Sequence, residues 1–315
     1  MGGRRRYGPG VTNGRTLLDT TLSLDRIGKR YGDVVALREL TFDVRPGEIF
    51  GFVGSNGAGK TTAMRIAMGV LAADSGEVRI GGSPVDLSLR RRIGYMPEER
   101  GLYPKMKVGP QLTYLAQLHG LSASDARGAA QRWAHRLGVA ERLGDPVQAL
   151  SLGNQQRVQL AAALVHDPSV LILDEPFSGL DPVAVDVMSE VLAEKAATGV
   201  PVVFSSHQLD LVQRLCDRVA IIARGELRAL GTVDELRDRG TTRIEIVAPQ
   251  APADWADRVP GVRVLGLSNG QTTVELAADA DDQELLAAAL RTGPVHRFAP
   301  RKPDLTELFR EVVSA

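Results

Sequence analysis

The stretch GSNGAGKTT at residues 54–62 holds the side chains with the clearest chemical meaning in this sequence. It matches the pattern G-x-x-x-x-G-K-[ST], follows the apolar run IFGFV, and opens a helix-like segment. Glycines let the backbone N–H groups turn inward around a polyphosphate, and the start of the next helix favours an anion. The sequence therefore predicts a nucleoside-triphosphate site formed by Gly54, Ser55, Asn56, Gly57, Ala58, Gly59, Lys60, Thr61 and Thr62.

Two side chains of this loop have expected roles. Lys60 is placed to reach the β- and γ-phosphates, and the Thr61 hydroxyl to bind Mg²⁺. A glycine-rich βα turn with a chance Lys-Thr pair would give the same letters, but the flanking strand and helix favour the phosphate site. The loop alone predicts a nucleotide and says nothing of the reaction.

Two carboxylates end the apolar run Val170–Leu173, which is typical of a strand covered on both faces in a parallel sheet. Asp174 is a candidate Mg²⁺ ligand opposite Thr61. Glu175 is the candidate general base, because phosphoryl transfer to water needs an oriented water that can lose its proton. The alternative is a carboxylate pair that only stabilises a helix N-terminus.

His207 follows another predicted strand, residues 200–204, at the sheet edge where open α/β folds bind ligands. It is a candidate partner of the γ-phosphate and the attacking water, with a structural histidine as the alternative. His119, His135 and His166 lie in helical patterns and are interpreted as structural.

Composition places the chain among ordinary globular proteins: 315 residues, 43% apolar and 24% charged, with zero formal net charge. The length suggests about two domains, and the neutral charge argues against a surface that binds nucleic acid throughout. The single cysteine, Cys216, is expected to be a buried helix residue in a reducing compartment. No apolar run reaches the roughly 18 residues of a membrane span, so at a membrane another chain would have to cross it.

The order of patterns predicts an α/β fold, that of a P-loop NTPase with a mixed sheet of the RecA type. Residues 1–20 form a Gly- and Arg-rich tail expected to be disordered, and residues 21–240 the nucleotide-binding domain. Alternating apolar residues over Thr21–Val44 predict an antiparallel β subdomain. Between about 100 and 165 the apolar spacing becomes helical, which predicts an α-helical insert.

Residues 241–315 predict a separate, small α+β accessory domain. Two strand patterns flank Ser268-Asn269-Gly270, a strong hairpin turn signal. The order strand, helix, two strands, helix, strand and final helix suggests a ferredoxin-like fold.

Several motifs in this order resemble the ATP-binding subunit of an ABC transporter, over about residues 21–240. The set comprises Tyr31, GSNGAGKTT, the loop with Glu98, LSLGNQQR at 150–157, VLILDEP at 170–176, Ser178-Gly179-Leu180-Asp181 and His207. A P-loop is shared by many NTPases, whereas an LSGGQ-like segment before the Asp-Glu strand is far more restrictive.

The resemblance implies a head-to-tail dimer that sandwiches two ATP molecules. Each ATP would be held by the P-loop of one copy and by Ser151 and Gly153 of the other. Tyr31 corresponds to the aromatic that stacks on adenine, with a surface turn tyrosine as the alternative. Asp181 matches the loop that communicates between the two sites.

Two positions depart from the family pattern. The signature reads LSLGN, but Ser151 and Gly153, the phosphate-facing pair, are retained, so binding is expected to survive. Glu98 stands where the family usually has glutamine. A carboxylate only accepts hydrogen bonds, so Glu98 is expected to bind the metal more strongly but not to donate to a phosphate; a solvated loop glutamate is the alternative.

The run YMPEERGLYPKMKV at 95–108 and the C-terminal domain are similar to subunits that power separately encoded permeases in sodium or drug export. The resemblance implies an ATP-hydrolysing export subunit, cytoplasmic and bound through a permease to the inner face of the membrane, as a homodimer or a heterodimer. The alternative is a soluble ABC-type ATPase that acts on ribosomes or nucleic acid. Those proteins usually carry two cassettes or long inserts, and a direct nucleic-acid partner is not expected.

Overall fold

A computed structural model describes residues 19–99, 101–238, 242–277 and 280–314. Nearly all of the predicted disordered tail, residues 1–18, and the predicted domain boundary near 240 lie outside the described residues. The chain forms two compact units, each described here by itself. Unit 1 comprises the residues up to Ile49 and Thr61–Phe204, and unit 2 comprises Phe50–Lys60 and the residues from Ser205 onward.

The strands of the described residues are β1 (Leu22–Tyr31), β2 (Val34–Val44), β3 (Ile49–Gly54), β4 (Ser75–Ile80), β5 (Ser83–Pro84), β6 (Ile93–Met96), β7 (Val170–Leu173), β8 (Val202–Ser206), β9 (Arg218–Ala223), β10 (Glu226–Thr232), β11 (Thr242–Val247), β12 (Val262–Ser268), β13 (Gln271–Leu276) and β14 (Arg297–Arg301). The α-helices are α1 (Lys60–Ala67), α2 (Leu87–Arg90), α3 (Val108–Leu118), α4 (Ala123–Arg136), α5 (Leu152–Leu164), α6 (Pro182–Ala197), α7 (Leu209–Leu215), α8 (Val233–Asp238), α9 (Asp282–Thr292) and α10 (Leu305–Ser314). None of these helices is both long and apolar enough to cross a bilayer.

Unit 1 contains the predicted antiparallel β subdomain, a four-stranded sheet in the order β2-β1-β4-β5. Leu24 pairs with Phe42 on β2 and with Val78 on β4. The alternation seen in the sequence arises because one face of this sheet is buried: Leu22 and Leu24 are at most 2% exposed. The prediction of antiparallel strands over Thr21–Val44 is confirmed.

Parallel strands β6, β7 and β8 form the second layer of unit 1. Every residue of β7 is buried, as its continuous apolar run predicted. Strand β8 begins two residues later than predicted, because Pro201 has no N–H to donate to a ladder. Its carbonyl instead accepts a hydrogen bond from the N–H of Leu171, and the strand extends through Ser206.

The predicted helical insert is confirmed as α3 and α4, which pack against each other. The apolar stripe of α4 is buried at Ala126, Ala129 and Ala130. Ser122 caps the helix by accepting a hydrogen bond from the N–H of Asp125.

Unit 2 contains elements that the sequence did not predict, between His207 and residue 240. Strand β9 pairs parallel with β3 and antiparallel with β10. Arg224 and Gly225 join β9 to β10 with φ of +52° and +78°, which are turn conformations.

The C-terminal part of unit 2 is an antiparallel sheet in the order β12-β13-β11-β14. Its buried core includes Ile244, Ile246, Val274 and Leu285. Numbered within this part, the strand order is 2-3-1-4, that of a βαββαβ ferredoxin-like fold, which confirms the prediction. The first helix is reduced to a 3-10 turn beside Trp255, whose indole N–H donates to the Thr272 hydroxyl at 3.1 Å.

Two histidines join three elements of unit 1. The rings of His119, after α3, and His166, after α5, stack with centroids 3.7 Å apart. His119 Nδ1 bonds the carbonyl of Arg91 at 2.9 Å, and His166 Nε2 bonds that of Ile93 at 3.2 Å. Burial, and secondly the charge of His119, lower the pKa of His166 to about 4. His166 therefore stays neutral in the folded protein at pH values where the unfolded chain protonates it.

This pKa predicts a loss of stability in acid. Between pH 7 and 5 the unfolded chain binds a proton at His166 that the folded protein excludes, which lowers the free energy of unfolding by about 2 kcal/mol. Urea denaturation at both pH values should show this loss in the wild type and a smaller one in His166→Gln, which cannot titrate. Equal pH dependence of the two proteins would contradict the assignment.

Candidate functional site

The phosphate-loop candidate in unit 2 has the backbone that its glycines predict. Gly57 and Gly59 have φ of +77° and +106°, conformations that side chains disfavour. The N–H of Ala58 donates to the carbonyl of Ser55 at 3.1 Å, which closes the turn. The loop is also held from outside, since the N–H of Gly225 in the β9–β10 turn donates to the carbonyl of Ala58 at 3.0 Å. The contact with Gly225 had no signal in the sequence.

Lys60 lies inside this loop and is only 8% exposed. Its ammonium donates to the carbonyls of Gly54 at 2.8 Å and Ser55 at 3.3 Å. Lys60 is also the first residue of α1, so its charge adds to the positive end of that helix. Ser55, Asn56 and Gly57 are exposed. The loop thus presents backbone N–H groups and one buried cation, a combination suited to a polyphosphate.

The two carboxylates of unit 1 lie at the end of β7 and are both buried, Asp174 at 1% exposure and Glu175 at 9%. The N–H of Asp174 donates to the carbonyl of Met96 at 2.8 Å, so the ends of β7 and β6 meet. Glu175 has φ of +49°, an uncommon conformation for a residue with a side chain. Its carbonyl accepts the N–H of Ser178 at 3.2 Å, so a turn follows immediately. Strained backbone of this kind concentrates at functional sites.

Tyr95, on β6, connects Asp174 with helix α1. Burial raises the pKa of this half-buried phenol first, and the negative charge of Asp174 raises it further. The Arg65 side chain hydrogen-bonds Tyr95 and opposes the shift. Thr61 lies one turn before Arg65 and on the same face of α1. Thr61 therefore lies on the helix whose Arg65 reaches Tyr95, and Tyr95 lies close enough to Asp174 to respond to its charge. No signal in the sequence indicated this tyrosine.

The loop that contains Glu98 follows β6 directly, and the Glu98 side chain is exposed. Gln159, buried on α5, donates from Nε2 to the carbonyl of Pro97 at 2.5 Å, and that atom lies 3.5 Å from the carbonyl of Glu99. This amide fixes the loop to the helix that begins after Ser151. Gln159 was missed because its partners lie about sixty residues away in the sequence.

Ser151 is the N-cap of α5, as predicted, and its hydroxyl accepts the N–H of Asn154 at 3.4 Å. The side chain is exposed, as is Leu152 at 40%. A Cβ at Gly179 would lie 2.7 Å from Leu152, so the turn at 178–181 packs against the start of α5. Leu152, which replaces a family glycine, therefore contacts this turn. Ser151 and Gly153 lie at the helix start.

Asp181 caps α6 by accepting the N–H of Ala184 at 2.8 Å. The aspartate closes the turn at 178–181, the one that contacts Leu152. Unit 1 thus brings Ser151, Gly153 and Asp181 together on one part of its surface.

Tyr31 ends β1 and is 50% exposed. The ammonium of Lys29 lies 5.8 Å from the centre of its ring. That ammonium is already paired with Asp74 at 2.7 Å and its side chain is largely buried, so the ring is the accessible part of this pair and fits stacking of a base.

His207 is exposed between β8 and α7 in unit 2. The Ser206 hydroxyl accepts the N–H of Gln208 at 3.0 Å, and this bond spans the histidine. Gln208 occupies the N-cap position of α7, without a capping hydrogen bond from its side chain. The position of His207 therefore depends on where α7 lies.

Comparison with known proteins identifies the family. Residues 37–178 match the ABC transporter family, and residues 231–313 match the C-terminal domain of ATP-binding proteins like DrrA1-3. An uncharacterized ABC transporter ATP-binding protein of Bacillus subtilis, YhaQ, is 35% identical over 93% of this chain and 99% of its own. A Nod factor export ATP-binding protein I of Burkholderia orbicola is 34% identical over 90% of this chain and 93% of its own.

A solved structure supports the same assignment. The ATP-binding subunit of an ABC transporter is 30% identical, with a TM-score of 0.65, and the match covers 70% of this chain and 93% of that one. The resemblance inferred from the motifs and the predicted α/β fold of a P-loop NTPase are thereby confirmed. The chain belongs to the ABC transporter family, as one of its ATP-binding proteins.

Proposed function

We propose that this protein hydrolyses ATP to power export through a separate membrane permease. The observation that supports this most directly is the pair of buried carboxylates after β7, in a chain that also holds Lys60 inside a glycine loop. One relative of nearly full length is named for export, and others of the family are transporter subunits. These likenesses favour transport over the alternative of a soluble ATPase acting on ribosomes or nucleic acid.

ATP is bound first through the loop at residues 54–62. Lys60 exchanges its two carbonyl partners for the β- and γ-phosphates, and the N–H groups at the start of α1 receive the remaining phosphate oxygens. Tyr31 stacks on the adenine. The domain assignment that goes with this function is an ATP-binding domain over 21–240 and an accessory domain over 241–315, and the two family matches support it.

Mg²⁺ fits the residues that the fold offers for it. Asp174 and Thr61 supply hard oxygen donors, and Asp174 is only 1% exposed, so water is largely excluded around it. Glu98 adds a further carboxylate from its exposed loop. When bound, the metal neutralises charge on the phosphates, while Asp174 and Thr61 hold it and Glu98 increases its affinity.

Glu175 acts as the general base. Its carboxylate accepts a proton from the attacking water, and its left-handed backbone fixes the direction in which the side chain leaves β7. His207 hydrogen-bonds the γ-phosphate and holds the same water in line.

The active assembly is a head-to-tail dimer, either of two copies or with a related subunit. Ser151 and Gly153 lie at an accessible helix start, where backbone N–H groups favour an anion. They complete the γ-phosphate site of the other copy. Asp181 lies beside them in the turn at 178–181 and couples the two nucleotide sites.

The permease contacts unit 1 beside the Glu98 loop and the helical insert. A cavity of about 480 Å³ opens there, with apolar walls at Leu102 and Leu115 and cations at Arg65 and Arg90. Such a lining suits an amphipathic permease segment with an acidic residue. The protein then works on the cytoplasmic face of the membrane without crossing it.

Replacing Glu175 by glutamine tests the general base. Turnover should fall by about 10²–10⁴-fold, because the amide cannot accept the proton of water. ATP affinity, measured with a fluorescent nucleotide, should be retained. Glu141→Gln, at an exposed position of the helical insert, is the matched control and should keep wild-type activity. Normal hydrolysis by Glu175→Gln would refute the assignment.

Replacing Asp174 by asparagine tests the metal site. In EDTA the variant should bind ATP at least as tightly as the wild type, since a negative charge near the phosphates is gone. Adding Mg²⁺ should tighten ATP binding in the wild type but about tenfold less in the variant, a difference of about 1.4 kcal/mol. An equal Mg²⁺ response of both proteins, in the same nucleotide titration, would place the metal elsewhere.

A further inference from the structure

The last helix, α10, packs within unit 2 on elements that follow His207 in the chain. One of them, β9, pairs with β3, the strand before the P-loop. Helix α10 contacts α7, α8, β9 and β10. Its apolar residues recur at helical spacing, and the first two, Leu305 and Leu308, are 1% and 7% exposed. Through this amphipathic helix the C-terminal part of unit 2 contacts the β9–β10 hairpin, whose turn hydrogen-bonds the phosphate loop, and α7, which follows His207.

The polar side of α10 is anchored to the C-terminal sheet by ion pairs. Arg243 of β11, 4% exposed, lies 3.4 Å from Glu307 and also pairs with Glu311. Arg301 of β14 pairs with Glu307 at 2.8 Å. A buried guanidinium without its carboxylates would be costly, so α10 and the sheet are expected to move together.

The side chain of Gln213 links the start of α10 to α7. Asp304 and Glu307 form a reciprocal capping box, in which each side chain accepts the backbone N–H of the other, at 2.8 Å and 3.3 Å. The next N–H of the first turn, that of Leu305, donates to Gln213 Oε1 at 3.0 Å. Gln213 lies on α7, so this amide oxygen satisfies a helix-end donor that would otherwise be buried without a partner.

Helix α7 is short and closely packed. Its seven residues span about 10 Å, and its cap Gln208 follows His207 directly. On its other side a Cβ at Gly51, in the strand that leads to the P-loop, would lie 2.7 Å from Val212 and 2.8 Å from Cys216. Because α7 packs closely against β3, we expect a shift at Gln213 to move the whole helix, including the end that follows His207.

We propose that Gln213 is a positioning residue for ATP hydrolysis. Held by α10, it fixes α7 so that His207 keeps the place needed for the γ-phosphate and its water. The C-terminal domain thereby controls turnover without binding nucleotide. This inference rests on the role given to His207 in the proposed function.

Two variants of the full-length chain separate the hydrogen bond from packing. Gln213→Leu removes the acceptor, whereas Gln213→Glu keeps a side-chain oxygen at the same reach. With Mg·ATP, Gln213→Leu should lower kcat by about fivefold and change KM by less than twofold, and Gln213→Glu should retain wild-type kcat. Gln283→Leu, at an exposed position of α9 outside the proposed sites, controls for the added leucine. Equal kcat in Gln213→Leu and wild type, or equal losses of kcat and ATP affinity, would overturn the proposal.

The same measurements in a His207→Ala background distinguish the two claims. If His207→Ala lowers kcat and Gln213→Leu then adds no further loss, Gln213 acts through His207. If His207→Ala lowers kcat but Gln213→Leu reduces it by the same factor in both backgrounds, the positioning role fails and the role of His207 stands. Unchanged kcat in His207→Ala would refute the role of His207 itself, and the inference with it.

Discussion

The proposed function depends on how the protein stabilises negative charge. Asp174 and Glu175 end β7 almost without solvent, and the nucleotide adds several charges of the same sign. Bringing like charges together where little solvent can screen them is costly. In the proposed function this charge is offset by Lys60 inside the loop, by the start of α1, and by a Mg²⁺ held on oxygen ligands. Catalysis in this account is the arrangement of those charges around one phosphate and one water.

In the proposed function the same balance of charge makes a single copy incomplete. Ser151 and the start of α5 lie on an accessible surface of unit 1. Presented to the γ-phosphate of a second copy, this helix start supplies the missing positive potential. ATP then joins two copies because it completes both sites, and hydrolysis weakens the joint because the γ-phosphate leaves. A permease that contacts the Glu98 loop would be coupled to this cycle through Gln159, because Gln159 of α5 hydrogen-bonds the loop.

Local patterns in the sequence were enough to predict the fold class and to propose candidate residues for the site. The P-loop, the Asp174-Glu175 pair and the Ser151 cap are each defined within a few residues, and the Asn269-Gly270 turn predicted the β12–β13 hairpin. Long-range partners gave no such signal. Gln159, Gly225 and Gln213 act through backbone groups far away in the chain, which any sequence can provide. The region between His207 and residue 240 was missed because its turn, Arg224-Gly225, lacks the usual asparagine or aspartate.

The measurement that tests this account most directly is the specific ATPase activity as a function of protein concentration, with the association state followed by sedimentation in the same Mg·ATP buffer. If two copies complete each γ-phosphate site, activity per molecule should fall towards zero as dilution separates them, and should recover on concentration. A sample that stays monomeric with nucleotide bound and still hydrolyses ATP at the concentrated rate would contradict the account.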